Sequence, residues 1–208
     1  MAKKDRVQVN LHLPEHLRKL KRGPQALVPK DIGMILAYTD INKESVVLDA
    51  GFGSGFLAIS MARFVKQVFS YEIREDFYKQ GLKNITRSGC KNITLINKDI
   101  TKGIEEPKEF DLITLDLPEP EKPLELVIQK LKQTGTIVVI LPTIEQVKRV
   151  VEKANQLGLS TVVTETSVRE WKVGQNATRP IGKQLVHTTF LIFMKKKVEE
   201  KSAENQTT

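Results

Sequence analysis

Val46-Val47-Leu48-Asp49-Ala50-Gly51-Phe52-Gly53-Ser54-Gly55 runs directly into Phe56-Leu57-Ala58-Ile59-Ser60-Met61-Ala62. A short apolar run meets three glycines at alternate positions and passes into a helical pattern. An apolar run of that length reads as a buried strand. Glycines at 51, 53 and 55 let the backbone turn sharply and let a ligand lie against main-chain N–H groups with no Cβ in the way. The helix expected over 54–65 points its positive end at the same turn. A nucleotide-like ligand is expected there.

The spacing and the charge decide which nucleotide. A dinucleotide turn reads G-x-G-x-x-G, whereas this one reads G-x-G-x-G with Asp49 two residues before the first glycine. A carboxylate beside the turn repels a pyrophosphate and suits a cationic ligand. S-adenosylmethionine, with an ammonium and a sulfonium, fits that charge better than NAD does. Glu72 closes the apolar run Val68-Phe69-Ser70-Tyr71, at 72 − 51 = 21 residues after the first glycine. That is about the offset at which a strand-end carboxylate takes ribose hydroxyls. Asp99 follows Ile93-Thr94-Leu95-Ile96-Asn97, where a third strand end can meet an adenine edge. With three carboxylates at successive strand ends, the pattern resembles the class I S-adenosylmethionine-dependent methyltransferase fold, a Rossmann-like α/β arrangement.

The chain of 208 residues is long enough for one α/β domain with a proper core. No run approaches the roughly 18 apolar residues of a membrane span, and the polar, basic start is no signal peptide. A single cysteine, Cys90, excludes an internal disulfide, and with three histidines no metal site is expected. The compartment is cytoplasmic by default. Charge is uneven: residues 1–30 hold eight Lys and Arg against Asp5 and Glu15, 8 − 2 = +6 of the net +8. A basic N-terminal surface suits a polyanion such as nucleic acid; a merely solvated arm is the other reading.

In order, residues 1–22 read as a basic arm or short β element, 23–195 as the catalytic domain and 196–208 as a charged flexible tail. Gly23, Pro24 and Pro29 punctuate the approach to a helix over 31–39. Strand 67–72, helix 74–88 with Gly89 as its stop, strand 93–97 and strand 111–116 follow. A helix over 123–132, a turn at Gly135, strand 136–141 and a helix over 145–157 come next. The runs 160–169 and 185–194 should pair antiparallel. The pattern predicts a mainly parallel seven-stranded sheet with an antiparallel edge hairpin. The glycine turn, Glu72, Asp99 and Asp116 then share the carboxyl rim of the sheet, where such folds bind ligands.

Asp116-Leu117-Pro118-Glu119-Pro120 selects the substrate. Two prolines hold the loop open and present Asp116 at the pocket mouth. A carboxylate there can accept a hydrogen bond from an exocyclic amine while the neighbouring ring nitrogen attacks a methyl group, and can then balance the resulting cation. Capping of a turn is its purely structural alternative.

With these residues in place, the chain resembles the tRNA adenine N1-methyltransferases that modify position 58 of the T-loop, and also 57 in archaeal members. The resemblance rests on Arg22-Gly23-Pro24-Gln25, Pro29-Lys30-Asp31, the Asp49–Gly55 turn, Tyr71-Glu72-Ile73-Arg74-Glu75-Asp76-Phe77, Leu115-Asp116-Leu117-Pro118-Glu119-Pro120, Arg169-Glu170-Trp171, Arg179-Pro180 and His187-Thr188. It implies that Gln25, Asp49, Gly51, Gly53, Ser54 and Gly55 hold the methionine part of S-adenosylmethionine. Glu72 would take the ribose, Asp99 with Ile100 beside it the adenine, and Asp116 the target base. Arg169, Trp171, Arg179 and His187 fall on the tRNA side, and a homotetramer is implied. The segment from Arg169 to Lys183 places cations around Trp171, as an extruded base and its phosphates require; a core tryptophan in a hairpin is the alternative. Two features depart from the pattern. Only 21 residues precede Arg22, where members carry a small β-barrel, and Val28 stands where members often have an aromatic residue. Two rival readings remain: a corrinoid-precursor or other small-molecule methyltransferase, and a non-catalytic RNA-binding subunit.

Overall fold

The strand that enters the glycine turn, β1 (Val46–Ala50), is buried at every position, as a central strand covered on both faces must be. The computed structural model describes residues 13–23, 26–106, 109–174, 177–181 and 187–197. On one side β1 pairs in parallel with β2 (Gln67–Tyr71), and β3 (Ile93–Ile96) lies beyond it. On the other side stand β4 (Phe110–Leu115) and then β5 (Leu131–Leu141), also parallel. Next to β5 lies β9 (Phe190–Lys196), antiparallel to it, and the edge is β6 (Leu159–Glu165), antiparallel to β9. The order β3-β2-β1-β4-β5-β9-β6 reverses direction between β1 and β4. That switch point leaves a crevice at the strands' carboxyl ends.

Helices cover both faces. On one, α1 (Glu15–Arg18), α2 (Pro29–Tyr38) and α3 (Phe56–Met61) bring Leu17, Ile32, Ile35 and Met61 against Val47, Val68 and Leu112. On the other, α5 (Leu124–Gln129) and α6 (Ile144–Gln156) bring Val127, Val147 and Val150 against Leu48, Ile113 and Ile192. The long amphipathic helix α4 (Glu75–Ser88) ends at Gly89, which takes the left-handed conformation at φ 74°, the usual C-terminal stop. Thr143 caps α6 by accepting from the Gln146 N–H.

The predicted sheet is present, with several boundaries moved. Pro29 opens α2 two residues early, because its fixed φ suits the first helical position. The helix expected over 54–65 is confined to Phe56–Met61. The helix expected over 123–132 stops at Gln129, and β5 begins at Leu131, before Gly135 rather than after it. Leu131 pairs with Phe110, and the register slips before Leu112 meets Thr136. Gly135 therefore sits in a bulge within the strand, where a Cβ would come within 3.0 Å of the Phe110 carbonyl.

The two late strands are shorter than their apolar runs. Between them lies an unanticipated second sheet, β7 (Trp171–Val173) against β8 (Thr178–Pro180). The strand β6 finishes, and β9 starts, at the carboxyl rim, since Glu165 and Leu141 both pair with Phe190. The β7–β8 hairpin therefore emerges at that rim. Leu17 and Leu20 of the basic arm are buried in the core. The rest of the expected arm (1–12) and the tail beyond 197 lie outside the described residues.

Candidate active site

The glycine turn owes its shape to three left-handed residues, Gly51, Gly53 and Gly55, with φ of 95°, 53° and 79°. Gly51 and Phe52 donate their N–H groups to the Tyr71 carbonyl, and Gly55 donates to that of Phe52. Gly53 donates to Glu72 Oε2 at 2.9 Å. Four N–H groups expected to face the ligand are thus already engaged within the protein. The turn contributes room and curvature instead: a Cβ at Gly53 would meet nothing closer than 4.0 Å, so this face is bare.

Glu72 is buried at the end of β2. Its Oε1 accepts from the Arg74 N–H at 2.9 Å while Oε2 holds Gly53, which locks this carboxylate to the turn. Asp49 lies within the sheet rather than at its mouth. It bridges three strands, accepting from Ser70 Oγ at 2.5 Å and Thr114 Oγ1 at 2.6 Å. Burial is the main force raising its pKa, against those two hydrogen bonds. Asp99 caps the short 3-10 turn Ile100–Lys102 through one oxygen, Oδ1, which accepts from both the N–H and the hydroxyl of Thr101. Those bonds lower its pKa, and Ile100 beside it is buried.

Asp116 stands immediately past β4, and its N–H donates to the Ala50 carbonyl at 2.8 Å. A Cβ on Gly51 would lie 2.1 Å from the Asp116 carbonyl oxygen, so the turn and the Asp-Leu-Pro-Glu-Pro loop touch. Gln146 of α6 braces that loop by donating to the Pro118 carbonyl at 3.2 Å. The Asp116 side chain is reached by water yet crowded by protein, and crowding comes first among the causes that push its pKa up to about 7, ahead of the negative charges of Asp49 and Glu72. Access to water limits the cost of crowding, so the upward direction rests most firmly on those two neighbouring carboxylates.

Asp49, Glu72 and Asp116 therefore act electrostatically on one spot beside a bare glycine turn. That set fits an ammonium- and sulfonium-bearing ligand and opposes a polyphosphate. Among the described residues no His, Cys, Asp and Glu cluster could hold a metal ion.

The other expected residues divide. Gln25 lies outside the described residues. Ser54 is buried and reaches away from the turn, its Oγ accepting from the Gly23 N–H at 2.6 Å. Trp171 is 52% exposed on the rim hairpin, with the Arg169 guanidinium 5.2 Å from its ring centre. That removes the core-tryptophan reading. Arg179 is exposed in register with Lys172. His187 is clasped at the same rim by the Pro142 carbonyl at 3.0 Å and Glu165 Oε1 at 2.5 Å, which raise its pKa in that order.

Two groups escaped the sequence reading. Asn84 is fully buried on α4; its Nδ2 donates to the Lys21 and Ser54 carbonyls and its Oδ1 accepts from the Lys21 N–H, each at 2.9 Å. An asparagine one turn beyond Gly81, on the helix's inward face, was the available signal. Lys30 and Asp31 form a buried ion pair at 2.6 Å, and Thr188 accepts from Lys30 and donates to Asp31 at the same distance. Both halves of that network stand in quoted motifs, but nothing in their spacing joins positions 157 residues apart.

Comparison with known proteins accords with this geometry. The family described as tRNA methyltransferase complex GCD14 subunit matches residues 17–206. A tRNA (adenine(57)-N(1)/adenine(58)-N(1))-methyltransferase TrmI of Methanocaldococcus jannaschii is 33% identical, over 84% of this chain and 73% of its own. The tRNA (adenine(58)-N(1))-methyltransferase TrmI of Thermus thermophilus is 31% identical, over 91% of this chain and 77% of its own. The crystal structure of the tRNA (m1A58) methyltransferase TrmI from Aquifex aeolicus superposes with a TM-score of 0.81 at 31% identity, covering 86% of this chain and 73% of that one.

Proposed function

The chain belongs to the family of tRNA methyltransferase complex GCD14 subunits, and from that premise we propose how its residues divide the work. It is an S-adenosylmethionine-dependent methyltransferase acting on N1 of adenine 58 in tRNA. The observation that supports the assignment of roles is the contact between Gly51 and the Asp116 backbone, because it brings the residue that bears this carboxylate against the glycine turn.

S-adenosylmethionine supplies a methyl group on a sulfonium, whose bonding pair stays with sulfur as the methyl leaves. Adenine N1 carries its own in-plane lone pair, so no base is needed to expose the nucleophile. Asp116, ionised, accepts a hydrogen bond from the exocyclic N6 amine and fixes the ring's orientation. Once N1 is alkylated, the positive charge is shared with N6, and the same carboxylate balances it. Glu72 holds the turn's curvature through Gly53 and presents its remaining lone pairs to the ribose. Asp99, with Oδ1 spent on its cap, offers Oδ2 to the adenine edge of the cofactor. Trp171 with Arg169, and Arg179, receive the RNA from the rim hairpin, a stacking surface with cations beside it. His187 supports that side by fastening Pro142 and Glu165.

Assembly and location extend the same reading. Exposed Val162 and Val163 on the edge strand β6 favour coverage by a second copy and support a homotetramer. No described helix is long and apolar enough to cross a membrane, and tRNA as substrate favours the cytoplasm.

Methyl transfer from labelled S-adenosylmethionine to an unmodified tRNA transcript, with nucleoside identification after digestion, tests the function. N1-methyladenosine is expected from wild-type tRNA, and none at position 58 from a transcript with guanosine there. Absence of incorporation by protein that binds the cofactor overturns the reading.

A further inference from the structure

Outside the site, a basic groove runs along α4. One cavity of about 620 Å³ is lined by Lys21, Arg22, Lys79, Lys83 and Arg87 with Asp76 as its one acid. A second, of about 330 Å³, shares Arg87 and adds Lys19 and Arg63 against Glu15. Arg87 lines both, so the two cavities are neighbours along one groove. Lys79 pairs with Glu75 and Lys19 with Glu15, but these partners are themselves exposed, and such pairs yield readily to a competing anion.

The spacing is regular. Lys79, Lys83 and Arg87 recur every four residues, so they share one face of α4 and rise about 6 Å per step. That is the scale of the step between phosphates along a nucleic-acid strand. All three residues are exposed on α4, whose Gly81 and Asn84 are buried, and Arg87 borders that inner face by donating to Asn84 Oδ1 at 3.4 Å.

The groove is also tethered to the site. Gly23 lines it and donates to Ser54 of the glycine turn, while Asn84 ties Lys21 to the same turn. Its upper end lies where α4 starts, three residues after Glu72.

We propose that this groove is a phosphodiester track that carries the backbone of the substrate RNA away from the active-site mouth. The inference rests on the tRNA reading above, which it deepens by assigning the backbone contacts to α4 and to the 19–22 segment. Phosphate contacts of this kind position the RNA without reading its sequence. Anchoring them on the strap that fastens the glycine turn fixes where the target base arrives.

The test is tRNA binding by fluorescence anisotropy across a salt series, in the presence of S-adenosylhomocysteine, alongside methyl transfer. The full-length triple variant Lys79→Gln/Lys83→Gln/Arg87→Gln is compared with Lys148→Gln/Lys195→Gln, which sits at the other end of the sheet on α6 and β9. Each lost phosphate contact should reduce the slope of log affinity against log salt by about 1. The triple variant should therefore lose about 2–3 units of slope and keep the cofactor affinity of the parent, while the control keeps the parental slope. An unchanged slope in the triple variant overturns the track, even where the parent methylates tRNA normally. A reduced slope together with no methylation by the parent leaves the track standing and removes the reading it rests on. Failure of the parent to bind tRNA overturns both.

Discussion

The carbonyl oxygen of Asp116 occupies the space that a side chain on Gly51 would need, 2.1 Å from the position of its Cβ. The first glycine of the turn is thus required twice, for its φ of 95° and for the passage of the Asp-Leu-Pro-Glu-Pro loop. Gly51→Ala should weaken cofactor binding and turnover together, because a backbone obstacle cannot rotate aside. Strain of about 1–3 kcal/mol should also lower Tm by several degrees. Calorimetric titration and thermal unfolding measure both, and parental cofactor affinity in the variant would refute the contact's importance.

In the proposed role Asp116 must be ionised to accept from N6, and crowding with the charges of Asp49 and Glu72 pushes its pKa up to about 7. Single-turnover rate should therefore climb with pH to about 7 and level off above it. Asp116→Asn should abolish that limb and reduce turnover by at least ~10²-fold, with cofactor affinity little changed. The sign for stability is opposite. A carboxyl whose folded pKa is raised from 3.8 favours folding while protonated, and loses that contribution between about pH 4 and pH 7. The variant should accordingly unfold no lower than the parent at pH 8. A marked fall in its Tm there would contradict the like-charge account.

Asn84 holds the 21–23 strap to the glycine turn with three short hydrogen bonds. Asn84→Leu leaves the Lys21 and Ser54 carbonyls and the Lys21 N–H to find other partners, at about 1–3 kcal/mol for each that fails. Cofactor affinity should fall along with Tm. Loss of Tm alone would make Asn84 a packing residue only.

Asp31 and Lys30 are a buried pair completed by Thr188. Asp31→Ala strands the ammonium and should destabilise by about 3–5 kcal/mol, read by denaturant unfolding. Thr188→Val, which leaves the pair intact, should cost clearly less. Equal costs would show that the hydroxyl, not the charge, joins α2 to the chain before β9.

Much of this protein was open to reading from its residues alone. Alternate glycines after a buried run, with acids at fixed offsets, demanded a strand-turn-helix unit binding a cationic nucleoside. The apolar periods placed the strands on either side. Both signals are local: they depend on φ preferences, side-chain period and charge within about twenty residues. Gly135 shows the limit. A glycine followed by an apolar run reads as a turn, and only the pairing of Leu131 with Phe110 makes it a bulge.

Long-range partnership was settled by the tertiary structure. Asp49 was expected beside the ligand, but Ser70 and Thr114 of the flanking strands take both its oxygens. The N–H groups of the turn were expected to face the ligand, but Tyr71 and Glu72 had claimed three of them. Asn84, and the Lys30–Asp31–Thr188 network, bring together positions 63 and 157 residues apart. Which acids stand at strand ends is written in the sequence, because strand ends follow local pattern. Which of their oxygens stay open to a ligand depends on what the neighbouring strands present, because a buried polar atom bonds to whatever lies within reach.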